Sequence, residues 1–251
     1  VNLYNKVFAF VVYCSIPVFS QAAAVPGGSF IMGGADGEAD EKPPHTVTLP
    51  AMTIDAYEVS NALYDSCVKQ GACTQPHYDD GKCIIWSSSG IRKVVVPPDS
   101  RSPSLPVVCV DWYQARQYCA FRGKRLPTEA QWEYAALAGG QNSYTWGAAP
   151  PTPAQCTPAS ANKPAQPGSY SPNRWGLFDM TGNVWEWTAD WYGFDYYTMS
   201  ELENPSGPPV GRYRVIRGGG WYSDEEQLKI KNRQLFPPEY GEVSVGIRCV
   251  K

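Results

Sequence analysis

Gly176-Leu-Phe-Asp-Met-Thr-Gly-Asn-Val-Trp-Glu-Trp187 is the stretch that decides the fold. Gly182-Asn183 reads as a turn. Val184 to Trp191 follows it as a strand candidate, carrying large aromatic rings and β-branched residues. Upstream lies Arg125-Leu-Pro-Thr-Glu-Ala-Gln-Trp-Glu-Tyr134. Thr128 is a helix N-cap there, and Gln131 three residues on completes a capping box. The helix it opens turns Trp132, Ala135 and Ala136 toward the core. Downstream, Arg214-Val-Ile-Arg-Gly-Gly-Gly-Trp221 is a strand over Tyr213–Arg217 followed by glycines that allow close backbone approach. No Lys-Ser/Thr follows those glycines, so they do not form a phosphate loop. Gly246-Ile-Arg-Cys249 falls in a further strand candidate, Val243–Cys249.

Working outward, Val25–Gly34 reads as a turn and short strand, and His45–Leu49 and Met52–Tyr57 as strands. Asp36, Glu38, Asp40 and Glu41 read as a solvated acidic loop. Ser60 caps a helix running to Lys69 and stopped by Gly71. A second helix spans Asp111 to Arg122, with Trp112, Ala115, Tyr118 and Cys119 at helical spacing. Residues 74–104 read as an irregular polar insertion, and turn residues dominate from Gly139 to Trp175. Few short helices, many short strands and much loop make this an α+β chain. With 251 residues it suits one domain, and the 23 Gly and 23 Pro agree with a loop-rich core. A net charge of -3 leaves no nucleic-acid footprint. Glu129 is read as serving its helix N-terminus and Glu133 as taking a buried salt bridge. Arg217, Arg233 and Arg248 are the structural partners for such carboxylates.

The N-terminal segment stands apart. After Lys6, Val7–Phe19 is an apolar run of 13 residues, followed by Ser20, Ala22, Ala23 and Ala24. Residues 1–24 therefore read as a secretory signal peptide or, if retained, a short membrane anchor, since a span needs roughly 20 apolar residues. The remaining chain, 25–251, is then secreted, periplasmic or at the cell surface. Seven cysteines remain after residue 24, an odd number with no C-x-x-C spacing, which favours disulfides over zinc. Cys67 and Cys73 flank a helix end and can pair locally. Cys83 and Cys109 can tie the insertion to the core, which leaves Cys156 over. The residues alone leave this connectivity open.

The four quoted motifs resemble those of the formylglycine-generating enzyme, or sulfatase-modifying factor, family, across nearly all of 25–251. The resemblance implies a C-type lectin-like fold. It implies a Cys119–Cys249 bridge, which would close a loop of about 130 residues and contribute on the order of 4 kcal/mol. The family's other bridge maps onto Ala136 and Ile230, where both cysteines are missing. Family enzymes oxidise the cysteine of a Cys-x-Pro-x-Arg segment by means of copper(I) held on two thiolates. Those thiolates map to the neighbourhood of Ser223, Asp224 and Glu225, which are hard oxygen donors unsuited to copper(I). No copper is expected. The family also implies calcium beside Gly182–Trp187, with Asn183 and Glu186 as side-chain ligands and Val184 giving a carbonyl. The alternative reading has Asn183 supporting a turn and Glu186 paired with an arginine. The lectin-like fold places a ligand face near the C-terminal loops, here Trp221, Tyr222, Asp224, Glu225, Gln227, Phe236 and Tyr240. The expectation is an exported non-catalytic module with a binding or structural role, such as a subunit of an extracytoplasmic assembly, whose partner is a protein or glycan, with no nucleic-acid partner and membrane contact only through a retained anchor. An enzyme acting through other residues is the alternative.

Overall fold

The computed structural model describes residues 21–87, 90–157 and 161–251. Cys14 and most of the N-terminal segment lie outside these residues. Three helices form where their caps predict. In α1 (Asn61–Lys69) the Ser60 hydroxyl accepts from the Leu63 amide. In α2 (Trp112–Phe121) and α3 (Glu129–Leu137), Asp111–Gln114 and Thr128–Gln131 form complete capping boxes. Each box satisfies amide groups that the first helical turn leaves without partners.

The strands are short and fall into four sheets. β1 (Ala22–Val25) pairs antiparallel with β4 (Met52–Asp55), and β2 (Gly28–Met32) with β3 (His45–Leu49). Ala22–Ala24, assigned from sequence to the N-terminal segment, are thus three of the four residues of a paired strand. β5 (Cys83–Ser87) lies between antiparallel β6 (Gly90–Lys93) and parallel β10 (Gly241–Glu242). The fourth sheet has the order β11-β7-β8-β9, from Val245–Gly246, Trp185–Trp191, Arg214–Arg217 and Gln234–Phe236. β11 runs parallel to β7, and the other pairs are antiparallel. The expected strand over Val243–Cys249 is therefore only two residues long. The expected irregular insertion contains the β5–β6 hairpin.

Two apolar clusters flank the four-stranded sheet. One joins α1 and α2 to Trp185, Trp187, Ile216, Phe236 and Ile247. The other joins β2–β4 and α3 to Met180 and Ile230. Every residue of α3 is buried, which exceeds the three-residue face expected, because its two carboxylates carry their own counter-ions. Glu129 accepts from Arg233 at 2.7 and 2.9 Å, and Glu133 accepts from Arg217. Buried carboxylates persist only when charge and hydrogen bonds are both supplied. The acidic loop is corrected for the same reason. Asp40 and Glu41 are buried rather than solvated, because Tyr192 donates to Asp40 at 2.7 Å and Asn232 to Glu41 at 3.1 Å. Three disulfides complete the frame: Cys67–Cys73, Cys83–Cys109 and Cys119–Cys249. Ala136 and Ile230 are both buried in one apolar cluster, where a bridge is replaced by packing.

Candidate ligand-binding cleft

Strand β8 ends at Arg217, and the chain turns through Gly218 and Gly219 at φ 103° and 80°. A Cβ on Gly219 would lie 2.7 Å from the Leu228 side chain and 3.0 Å from the Gln227 carbonyl. Only glycine combines that backbone with that contact. The loop that follows is pinned by its own polar side chains. The Ser223 hydroxyl accepts from the Gly220 amide at 2.9 Å, and Asp224 accepts from the Gln227 amide at 2.9 Å.

This loop forms one wall of a cleft of about 620 Å³, through Tyr222, Asp224 and Gln227. The sheet supplies Trp185, Ile216, Phe236 and Val245, and β10 contributes Glu242. Glu242 is 3% exposed. It accepts from the Tyr222 hydroxyl, from the Ser244 amide at 2.6 Å and from the Ser244 hydroxyl at 2.7 Å. Burial pushes its carboxyl up to about 7, against those hydrogen bonds. Burial, reinforced by Glu242, likewise raises the Tyr222 phenol. A second depression of about 370 Å³ adjoins the cleft along Asp224, Gln227, Gln234 and Leu235. A third, of about 240 Å³, is lined by Cys156, Thr157, Ser223 and Glu225. Cys156 is the free cysteine among the described residues, and burial raises its thiol.

Of the expected ligand face, Tyr222, Asp224, Gln227 and Phe236 converge on the cleft. Trp221 packs edge-on against Tyr222 with ring centroids 4.7 Å apart and donates to the Val243 carbonyl. Glu225 belongs to the depression beside Cys156, and Tyr240 is exposed away from the lining. Sequence reading missed Trp185, Ile216, Gln234, Leu235, Glu242 and Val245 as part of this site. No local pattern marks them, because five short strands assemble the wall.

The motif around Asn183 is built differently from the calcium expectation. Asn183 adopts φ 64° as the turn requires, and its amide oxygen accepts from the Ala165 amide at 2.8 Å. Its amide nitrogen donates to Glu58 at 2.5 Å, and the Val184 amide donates to Glu58 at 3.2 Å. Glu186 accepts from Arg248 at 2.7 and 2.9 Å and from the Trp132 indole at 2.7 Å. The side-chain oxygens of Asn183 and Glu186 are thus engaged by protein donors in this structure. Among the described residues no three His, Cys, Asp or Glu are grouped to hold a metal. Copper(I) does not fit. Ser223, Asp224 and Glu225 offer hard oxygens, and one thiol, Cys156, stands near them where a two-thiolate site is required.

The comparison with known proteins accords with this architecture. Residues 18–251 match the family described as Sulfatase-modifying factor enzyme 1-like domain, and the chain belongs to that family. It is 34% identical to a formylglycine-generating enzyme of Streptomyces coelicolor, covering 90% of this chain and 87% of that protein. It is 37% identical to a protein of Chlamydia trachomatis named serine/threonine-protein kinase Pkn1, covering 94% of this chain. The match spans only 39% of that longer protein. Among solved structures, PvdO from Pseudomonas aeruginosa superposes with a TM-score of 0.77 at 26% identity, covering 92% of this chain and 94% of that one.

Proposed function

We propose that this domain is an exported, non-catalytic member of its family that binds a partner through the cleft at Tyr222–Phe236–Glu242. The observation that carries the reading is the composition of that cleft. Aromatic walls and a few fixed polar groups line it, as ligand sites require, and no thiol lies among them. An oxidase of this family's type would need a thiolate pair for copper(I), and the corresponding positions carry oxygen. Export is supported by three disulfides, which persist in oxidising compartments. No helix among the described residues is long and apolar enough to cross a membrane. The partner is a protein or glycan that presents a group small enough to enter the cleft. The match covers 39% of the relative named as a kinase, so that protein's activity is not carried over.

The test has two arms. Copper(I) competition titration of the purified domain is expected to show no stoichiometric site. Leu235→Trp, placed at the half-buried cleft wall, is expected to abolish partner capture while the thermal unfolding midpoint stays within a few degrees. A stoichiometric copper(I) site, or full partner binding by Leu235→Trp, would contradict the proposal.

A further inference from the structure

The charge inside the cleft is one-sided. Asp224 and Glu242 line it, and no Lys, Arg or His does. The adjoining depression adds Glu38, Asp40 and Glu226. Its single basic residue, Arg233, is already held by Glu129 through two hydrogen bonds. Walls of low polarity focus such a field onto the space between them.

Glu242 is the centre of this asymmetry. Three buried carboxylates elsewhere are paired with an arginine, Glu129 with Arg233, Glu133 with Arg217 and Glu186 with Arg248; Glu58, Asp179 and Asp190 are buried without such a pair, but Glu242 is the one that lines this cleft. Glu242 has no salt-bridge partner among the described residues. Its hydrogen bonds come from uncharged donors, the Tyr222 and Ser244 hydroxyls and neighbouring backbone amides. Uncharged donors leave the ionised carboxylate without a counter-charge inside the protein. Trp185, Tyr222 and Phe236 surround the same space, and aromatic faces attract a cation within about 6 Å of the ring.

Resting on the cleft being a binding site, we propose that its ligand carries a protonated amine, with Glu242 as the anionic partner and Trp185, Tyr222 and Phe236 as the surrounding walls. The ammonium supplies the positive charge that Glu242 lacks, and the aromatic rings exclude water around it. The neutral amides Gln227 and Gln234 at the margin leave the rest of the ligand free to be apolar or polar. Binding favours ionised Glu242, so affinity rises as pH increases through about 7. The ionisable groups sharing the cleft with Glu242 are Tyr222 and Asp224 from the loop. β5 brings Ile84 beside it, with the Cys83–Cys109 bridge at the adjacent position, and Val245 lines the same cleft.

The experiment is calorimetric titration of the disulfide-intact chain with 2-phenylethylamine and with 2-phenylethanol, which differ in charge and little in shape. A third titrant, N-acetyl-lysine N-methylamide, presents the amine as a polypeptide would. The amine is expected to bind at least about tenfold more tightly than the alcohol, and Glu242→Gln to remove that difference. Wild-type affinity for the amine should increase between pH 6 and pH 8, a readout that needs no variant. Tighter binding of the lysine derivative than of phenylethylamine assigns the ligand to a polypeptide, and the reverse assigns it to a free amine. Equal binding of amine and alcohol, both lost in Leu235→Trp, would overturn the amine proposal and leave the cleft as a binding site. Binding of neither at millimolar concentration would overturn both. An amine affinity that is flat with pH and unchanged by Glu242→Gln would also overturn the assignment of Glu242.

Discussion

Replacing Arg248 by methionine removes the cation from the most heavily acidic part of the core. Arg248 is fully buried. It donates to Glu186 at 2.7 and 2.9 Å and to the carbonyls of Asp55 and Phe178 at 2.8 Å each. It also faces Glu58 and Asp179. Burial, with Asp179 and Glu186 adding like charge, holds the Glu58 carboxyl well above its ordinary value. Burial raises Asp179 to about 6. Stripping a buried carboxylate of its partner costs about 3–5 kcal/mol. Two carbonyls left without a donor add about 1 kcal/mol each. The sum, roughly 5–7 kcal/mol, is comparable with the whole stability of a domain, about 5–15 kcal/mol. Glu186→Gln is the informative contrast. It keeps an acceptor for Arg248 and Trp132, and Arg248 still faces Glu58 and Asp179, so its cost is about 1–2 kcal/mol. Urea unfolding with intact disulfides, thiol-counted before each melt and compared at constant m, measures both. Arg248→Met within about 1 kcal/mol of the unsubstituted chain, or costing less than Glu186→Gln, would refute the account of this core.

Other outcomes follow from the same geometry. Chelation with EGTA leaves the unfolding midpoint unchanged, since the oxygens of Asn183 and Glu186 are engaged within the protein; a drop of several degrees reversed by calcium would show that the ion displaces those contacts. Asp190 is raised to about 8 from 3.8 by burial and then by the charge of Glu129. Its folded state holds the proton, so its contribution is complete below about pH 4 and is lost as pH rises through about 8. Asp190→Asn is therefore expected to match the unsubstituted chain at about pH 3.5 and to exceed its midpoint increasingly up to pH 9; an equal deficit at both would contradict this. Replacing Cys119 and Cys249 together by alanine reopens a loop of 130 residues and lowers stability by roughly 4 kcal/mol in denaturant melts. A loss under about 1 kcal/mol would mean that the bridge constrains the unfolded chain little.

What could be read from the sequence depended on how local the signal is. The three helices carry their caps within three residues, so Ser60 and Thr128 marked two of them as caps, and Asp111, read as the start of the third, is its N-cap. The expected Glu–Arg pairing was legible as chemistry, and the structure fixes the partners as Glu129–Arg233, Glu133–Arg217 and Glu186–Arg248. Strands of two to four residues hold too few positions for alternation to register, so β1, β6, β9 and β10 escaped notice, and the five-residue β5 was lost in the polar, irregular stretch around it. Asp40 and Glu41 looked solvated because the residues that satisfy them, Tyr192, Asn232 and Arg233, lie more than a hundred positions away. Glu242 was missed on the same grounds: its significance lies in Tyr222, twenty residues earlier, and in a wall made from five strands. Glu58 was missed likewise, since its partners Asn183 and Val184 are over a hundred residues distant.

The central claim is that this member of the family binds through its cleft without the family's oxidation chemistry. The most direct measurement is incubation of the folded, disulfide-intact chain with copper(I), oxygen and a Cys-x-Pro-x-Arg peptide, followed by peptide mass. The account predicts an unchanged peptide. A loss of about 18 Da, the conversion of a thiol to an aldehyde, would contradict it and place oxidation on residues other than a cysteine pair.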